Sequence, residues 1–279
     1  MAENLYASLA DFKRLKAIPS TSADTADDDE ILRTLEAASR YIDGETARRF
    51  YPEIDTRYFD WPDGNNERRL WLDDDLLEVT TFVNGDGTSF ESTDYYTEPR
   101  GRTPFYALTL KEATDATWET DSDENTEQVL AVTGPWGYHE RYGRAWRAAT
   151  TLGAAMTDTT TASFTAADGT LLSVGDIVKV DTEVMNVSAI STNTVTVTRR
   201  GDCGSTAATH LIAAAVYVWT PDARIRDIAL NLARNSYSRR FGENTIAANV
   251  KLTAAGVVIE PQDVGARDRE TLRSLYRAV

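Results

Sequence analysis

The sequence predicts an α+β fold: a helical bundle core drawn from both chain ends, an antiparallel β section, and an inserted all-β module of barrel or sandwich type. Three observations carry this. Thr25 to Pro52 reads as one long amphipathic helix, hydrophobicity alternates with a period of two from Thr56 onward, and a helical stripe returns only after Thr220. The implied division is 1–150 for the connecting core of helices and β section, 151–219 for the inserted module, and 220–279 for the closing helix and C-terminal arm.

At the start, Ser8 and Asp11 form an S-x-x-D capping box ahead of Leu9, Phe12 and Leu15. This short helix is expected to stop near Ile18, because Pro19 disfavours helix in the residue before it. Ser20 to Asp24 then links it to the long helix. There, Asp27, Asp28, Asp29 and Glu30 crowd the electropositive N-terminus, Arg48 and Arg49 suit the opposite end, and Pro52 closes the run. Ile31, Leu35, Ala38, Ile42 and Thr46 share one face. Roughly 24 residues would make a rod about 36 Å long, whose single apolar stripe needs other helices to cover it.

The β section opens with Arg57 to Trp61 and Arg69 to Leu72 flanking Pro62–Asn66, the pattern of a hairpin. Leu76 to Val83 reads as a third strand before the Asn84-Gly85-Asp86-Gly87 turn. Tyr95 to Thr97, Tyr106 to Leu110 and Gln128 to Thr133 read as further strands, and Asp115 to Thr126 as an exposed acidic loop. Gly134-Pro135-Trp136-Gly137-Tyr138 reads as a closing turn anchored by its aromatics. Leu152 to Trp219 is rich in Thr, Ala and Val, and alternates at 177–180, 183–190, 194–198 and 216–218, with Thr182 and Asn193 at turns. Thr220 then suits an N-cap and Pro221 the first helical position. Ile225, Ile228, Ala229, Leu232 and Ala233 make a stripe, and Gly242 suits the C′ position. Ile31, Leu35, Ile42, Ile228 and Leu232 are therefore the expected packing between two chain-distant rods. Asn244 to Val264 reads as extended and turn-rich. Leu272, Leu275 and Tyr276 define a last short helix among Arg267, Arg269, Arg273 and Arg277.

The net charge of −15 is uneven: residues 1–150 carry −15, residues 151–220 carry −3, and residues 221–279 carry +3. An acidic body disfavours tight phosphate binding, which depends on Lys and Arg. No run reaches the roughly 18 apolar residues of a membrane span, and the opening has no apolar stretch after a basic leader, so neither membrane insertion nor a secretion signal is expected. The single cysteine, Cys203, excludes an internal disulfide. His139 and His210 lack partners at metal-ligand spacing, and Asp73-Asp74-Asp75 lacks a calcium loop and reads as a charged turn. No catalytic, cofactor or metal site is expected. Tyr58, Trp61, Trp71, Tyr95, Tyr96 and Tyr106 fit either core and subunit-interface positions or a carbohydrate platform. A glycosidase pair among 44 carboxylates cannot be singled out.

YASLADFKRL, DDDEILRTLEAASRYIDGETARRFYP and TRYFDWPDG, followed by VTGPWGY (Val132 to Tyr138) and TPDARIRDIALNLARNSYSRRFG, together resemble the head–tail connector (adaptor) proteins of tailed bacteriophages. Their long-helix pattern maps onto Asp28, Ile31 or Leu32, Leu35, Ala38, Ser39, Ile42, Asp43, Thr46, Arg48 or Arg49, and Phe50. The likeness covers about residues 5–150 and 220–242. GDIVKVDTEVMNVSAISTNTVTVTRRGDCGSTAATH is similar to small β modules of phage structural proteins, a departure from the shortest, mostly helical connectors.

The resemblance implies a non-enzymatic virion protein of the neck, assembled in the host cytoplasm without cofactor. It implies a homo-oligomeric ring, usually of twelve copies, beneath the portal protein, meeting stopper or tail proteins on its far side and passing duplex DNA non-specifically. Arg267, Arg269, Arg273, Tyr276 and Arg277 are the expected portal or subunit interface. The alternative reading is a virion decoration or carbohydrate-binding module.

Overall fold

The computed structural model of the protein describes residues 3–16, 25, 27–62, 67–240, 248–253, 256–261 and 264–277. The expected stop at Pro19, the Ser20–Asp24 linker, the loop residues Asp63–Asn66 and the C′ Gly242 lie outside them.

The expected helical bundle core is not what forms. The chain is mostly β, with two six-stranded antiparallel sheets and, among the described residues, four α-helices amounting to 24% helix. Each sheet closes over its own apolar cluster, so the strands do not depend on the helices for a core. Two compact units result: one of Met1–Ala47, Trp146–Asp202 and Thr206–Ala278, the other of Arg48–Ala145 and Cys203–Ser205.

In the first unit, α1 (Leu9–Leu15) starts with the Ser8/Asp11 capping box formed in both directions. Helix α2 spans Asp28–Thr46, about 28 Å at 1.5 Å per residue. It ends earlier than the sequence suggests because Ala47 turns into the left-handed region at φ 52°. Arg48 and Arg49 therefore lie beyond the helix and do not complement its C-terminus. The buried face of α2 carries three hydroxyls, and each returns its proton to its own helix: Thr34 to the Ile31 carbonyl, Ser39 to Leu35 and Thr46 to Ile42, each at 2.8 Å. That local bonding lets Thr and Ser sit among Ile31, Leu35 and Ile42, which are all but inaccessible.

The second β module of this unit runs β7 (Trp146–Thr151), β8 (Ser163–Thr165), β9 (Ile177–Val180), β10 (Glu183–Ser191), β11 (Thr194–Val197) and β12 (Ala215–Trp219). Its order is β7-β12-β9-β10-β11-β8, and a bridge between Leu152 and Ala166 joins the chain just after β7 to that just after β8, closing the sheet on itself. Asp181 and Thr192, at φ 50° and 54°, make the two tight turns flanking β10. Val178, Val180, Met185, Val195 and Val216 fill the interior. Helix α3 (Ala223–Arg240) begins two residues later than expected. Asp222 caps it, its carboxylate accepting from the Arg224 N–H at 3.0 Å, while Pro221 stays outside. The expected extended stretch contains the hairpin β13 (Ala248–Thr253) and β14 (Gly256–Pro261), and α4 (Ala266–Ser274) follows. Leu5, Phe12, Ile31, Leu35, Ala38, Leu230, Ala233 and Tyr237 share one cluster across α1, α2 and α3, with Leu232 partly buried against it.

The other unit holds β1 (Glu53–Phe59), β2 (Arg69–Leu76), β3 (Thr81–Val83), β4 (Tyr95–Glu98), β5 (Phe105–Leu110) and β6 (Leu130–Trp136). The order β1-β6-β2-β5-β4, with β3 also on β6, overturns the expected β1–β2 hairpin: Thr56 pairs with Thr133, and β6 lies between the two. The expected third strand is cut to Thr81–Val83. Asp73–Asp75 lie within β2, at its bulge, instead of in a turn.

Gly134, Pro135 and Trp136 are strand residues too, and their glycines have a steric reason. A Cβ on Gly134 would stand 2.0 Å from the Glu78 carbonyl oxygen, and one on Gly137 (φ 144°) 2.3 Å from that of Tyr51. Trp136 is 1% exposed beside Phe59, and its indole N–H donates to the Asp55 carbonyl at 3.1 Å.

Candidate partner interface

Helix α4 carries three of the four predicted arginines, Arg267, Arg269 and Arg273, and Arg277 lies past its end. Its inner side is fixed by the buried Leu272 and Leu275 and by Asp268, which accepts from the Asn231 side chain of α3 at 3.4 Å. Beyond the helix, the Arg277 N–H donates at 2.9 Å to the Thr46 carbonyl, one of the acceptors left open at the end of α2. Anchored in this way, α4 turns Arg267, Arg269 and Arg273 to solvent, and Tyr276 is 54% exposed. Arg269 and Arg273, four residues apart, share one stripe, and Arg267 points elsewhere around the helix; Tyr276, expected in the helix, follows past its end at Ser274. Among the described residues no carboxylate pairs with Arg267, Arg269 or Arg273. The core residues Ile42 and Ile228 are buried, as are Ile31 and Leu35.

A second exposed feature lies on the sheet of the other unit. Trp71 and Tyr106 stack with centroids 5.8 Å apart and 16° between planes, at 59% and 42% exposure, and Tyr58 is 62% exposed. The Arg69 guanidinium sits 5.1 Å from the Trp71 ring and donates from Nη2 to Glu98 at 2.7 Å; Thr109 donates to the same Glu98 oxygen at 2.8 Å. The other aromatics of the sequence reading separate from this pair. Tyr95 packs edge-on against the buried Phe82, Trp61 lies against the core, and Tyr96 is half-buried under Arg100.

The carboxylates, cysteine and histidine that the sequence singled out at 73–75, 203 and 139 sit in structural contacts. Arg57 pairs with Asp73 and Asp74 at 3.1 Å each, and Arg48 with the buried Asp75. Cys203 is buried, and His139 accepts from the Arg141 N–H at 3.0 Å.

A network that sequence reasoning missed lies in the closed sheet. Glu183, fully buried, accepts from Arg200 Nε at 2.7 Å and Nη2 at 2.9 Å, from the Gly201 and Ala208 N–H groups, and lies 2.8 Å from His210 Nε2. His210 Nδ1 is 2.7 Å from Asp181. Burial pushes the Glu183 carboxyl up, but the bonds from Arg200, His210 and the two backbone N–H groups outweigh it and hold it at about 2. Every Glu183 lone pair is committed, so the arrangement clamps the turns at 200–210 onto β10. The visible signal was D-T-E before R-R-G and a distant His; 27 residues separate Glu183 from His210.

Among the described residues, no group of three or more His, Cys, Asp or Glu is placed to hold a metal ion. No helix among them is long and apolar enough to cross a membrane. Comparison with protein-family models, with curated proteins and with solved structures gives no match for the chain.

Proposed function

We propose that this chain is a non-enzymatic structural protein of a tailed-phage virion, a head–tail connector that forms a ring beneath the portal, continues the DNA channel and joins the capsid vertex to the tail. The observation that carries the reading is the α4 face: exposed arginines without carboxylate partners among the described residues, beside an exposed tyrosine, on a chain of net charge −15. Such a face gains most from an acidic protein neighbour, which this reading takes to be the portal. Arg and Tyr are also the residues enriched where protein interfaces concentrate their energy. The acidic remainder suits a channel past which duplex DNA slides without being gripped.

Native mass spectrometry of the chain with and without its portal tests this, together with electron micrographs of virions labelled at the C-terminus. The expected outcome is a closed ring and label at the neck. Label on the capsid faces or at the tail tip overturns the proposal.

The stacked Trp71–Tyr106 pair beside Arg69 and Glu98 favours a second reading, a carbohydrate-contacting decoration protein, since sugars stack on exposed aromatic faces flanked by polar groups. Glycan binding abolished by Trp71→Ala would select it.

A further inference from the structure

A ring closes only if each copy carries two unlike patches that fit each other, and the described surface holds two patches of opposite charge. The first is a cleft of about 380 Å³ where α1, the start of β7 and the start of α3 meet the 170–176 turn. It is lined by Arg14, Arg147 and Arg226, with Asp11, Asp176 and the half-exposed Leu171. Among the described residues no carboxylate lies within ion-pair distance of Arg147 or Arg226, Asp176 acts on Arg147 at longer range, and Asp11 lies 3.5 Å from Arg14. The cleft is rigidly framed: the Leu9 and Ala10 N–H groups donate to the Val174 carbonyl at 3.0 Å and to Ser173 Oγ at 3.1 Å.

The second patch is the loop 112–127. It carries Glu112, Asp115, Glu119, Asp121, Asp123, Glu124 and Glu127 with no Lys or Arg. Most are exposed, and none forms an ion pair among the described residues. The loop is nevertheless ordered. Trp118 packs on Phe82 and Phe90, Asn84 bridges the Thr117 carbonyl and the Glu119 N–H, and Asp121 accepts from the Asp123 and Asn125 N–H groups at 2.9 Å. A preformed loop brings its carboxylates to a partner with little ordering entropy left to lose.

We propose that the arginine cleft receives the 112–127 loop of a second copy, with Arg14, Arg147 and Arg226 pairing with its carboxylates. This rests on the ring reading and names the contact that would repeat around the axis.

Charge reversal in the full-length chain tests it. Arg147→Glu with Arg226→Glu makes an acidic cleft, and Asp123→Arg with Glu124→Arg makes a basic loop tip. Each variant repels itself, yet in a mixture both contacts are complementary, because the acidic cleft meets the basic loop and the native cleft meets the native loop. Sedimentation velocity at low salt should show each variant associating at least tenfold more weakly than the native chain, and the equimolar mixture recovering. Association should also fade toward about 1 M salt, where the Debye length is roughly 3 Å. Circular dichroism checks that both variants fold.

A further readout is pH. Asp176 lines the cleft together with Asp11 and Arg14 of α1, Arg147 of β7 and Arg226 of α3. Burial pushes its carboxyl up to about 7; Asp11 adds to this, while the Ser173 N–H and Arg147 oppose it. The cleft therefore gains positive charge as pH falls from 8 to 6, and association should tighten, a trend that Asp176→Asn removes.

Variants that associate like the native chain, or a mixture that fails to recover, overturn the inference. So does a native chain that shows no association up to roughly 100 μM. If C-terminal label still marks the neck in virions, the ring reading survives and only this contact fails.

Discussion

Replacing Glu183 with Gln should loosen the closed sheet at neutral pH and hardly at all in strong acid. The substitution keeps the shape of the side chain and removes its charge. It leaves Arg200, whose side chain is 4% exposed, without its ion-pair partner, and gives the Gly201 and Ala208 N–H groups an amide that can satisfy only part of what the carboxylate did. A carboxyl held at about 2, against an ordinary value of 4.5, stabilises the folded form by roughly 3 kcal/mol. Breaking a buried ion pair on one side costs about 3–5 kcal/mol, which agrees.

Because the folded-state value is depressed, that stabilisation is fully present above about pH 4.5 and is lost as pH falls toward 2. A chain with two compact units need not unfold in one step, so the measurement should be local: hydrogen exchange of the Ile177–Ser191 segment, native against variant at matched pH. About 3 kcal/mol corresponds to roughly a hundredfold faster exchange through opening at pH 7. A change below about threefold at pH 7, or an equal difference at pH 7 and pH 2.5, would refute the claim that this carboxylate clamps the turns.

Leu35→Asp places a charge in the α1–α2–α3 cluster, where Leu35 is fully buried. It should cost several kcal/mol and abolish the thermal transition or virion incorporation; a soluble variant with a native melt would contradict the packing. Asp176→Asn acts in the opposite sense to Glu183→Gln. A raised acid value means that the native chain loses stability as pH rises from about 4 through about 7, so the Asn variant should be the more stable at pH 8, by up to about 4 kcal/mol, and equal at pH 3. Urea midpoints at the two pH values check it. Trp71→Ala removes a ring that is 59% exposed, and should shift stability by less than about 1 kcal/mol; a larger loss would show that the Trp71–Tyr106 stack helps hold the sheet together.

What the sequence made legible was mostly local chemistry. The capping box at Ser8 and Asp11, the acidic start of α2, and the buried face of Ile31, Leu35 and Ile42 all depend on neighbours within a few residues. The failures came where a partner lies far along the chain. Turn-forming residues between Trp61 and Arg69 suggested a hairpin, but β1 finds β6, Thr56 opposite Thr133, and loop chemistry cannot report a pairing 77 residues away. Arg48 and Arg49 read as helix-end cations because their charge suits that place. The Arg48 guanidinium instead pairs with Asp75, and the left-handed turn at Ala47, which no residue type demanded, ends the helix first. The misjudged balance of helix and sheet has the same root: alternating segments betray their period, while the fact that six of them close over one core appears only in their register.

The arginines then divide by what surrounds them, and the division bears on function more directly than any motif. Arg48, Arg57, Arg69 and Arg200 are each matched to a particular carboxylate and are largely covered, so their charge is spent inside the subunit. Arg147, Arg226, Arg267, Arg269 and Arg273 have no such match among the described residues. Scarcity cannot explain this, because the chain has 44 acidic side chains against 29 basic ones. Exposed pairs within one subunit are worth only about 0–1 kcal/mol, so the fold loses little by leaving these five open. An acidic neighbour that desolvates several of them together gains the stronger, charge-assisted hydrogen bonds that water denies them singly. Under the proposed reading, the unmatched cations are thus where an acidic neighbouring chain would gain contact energy.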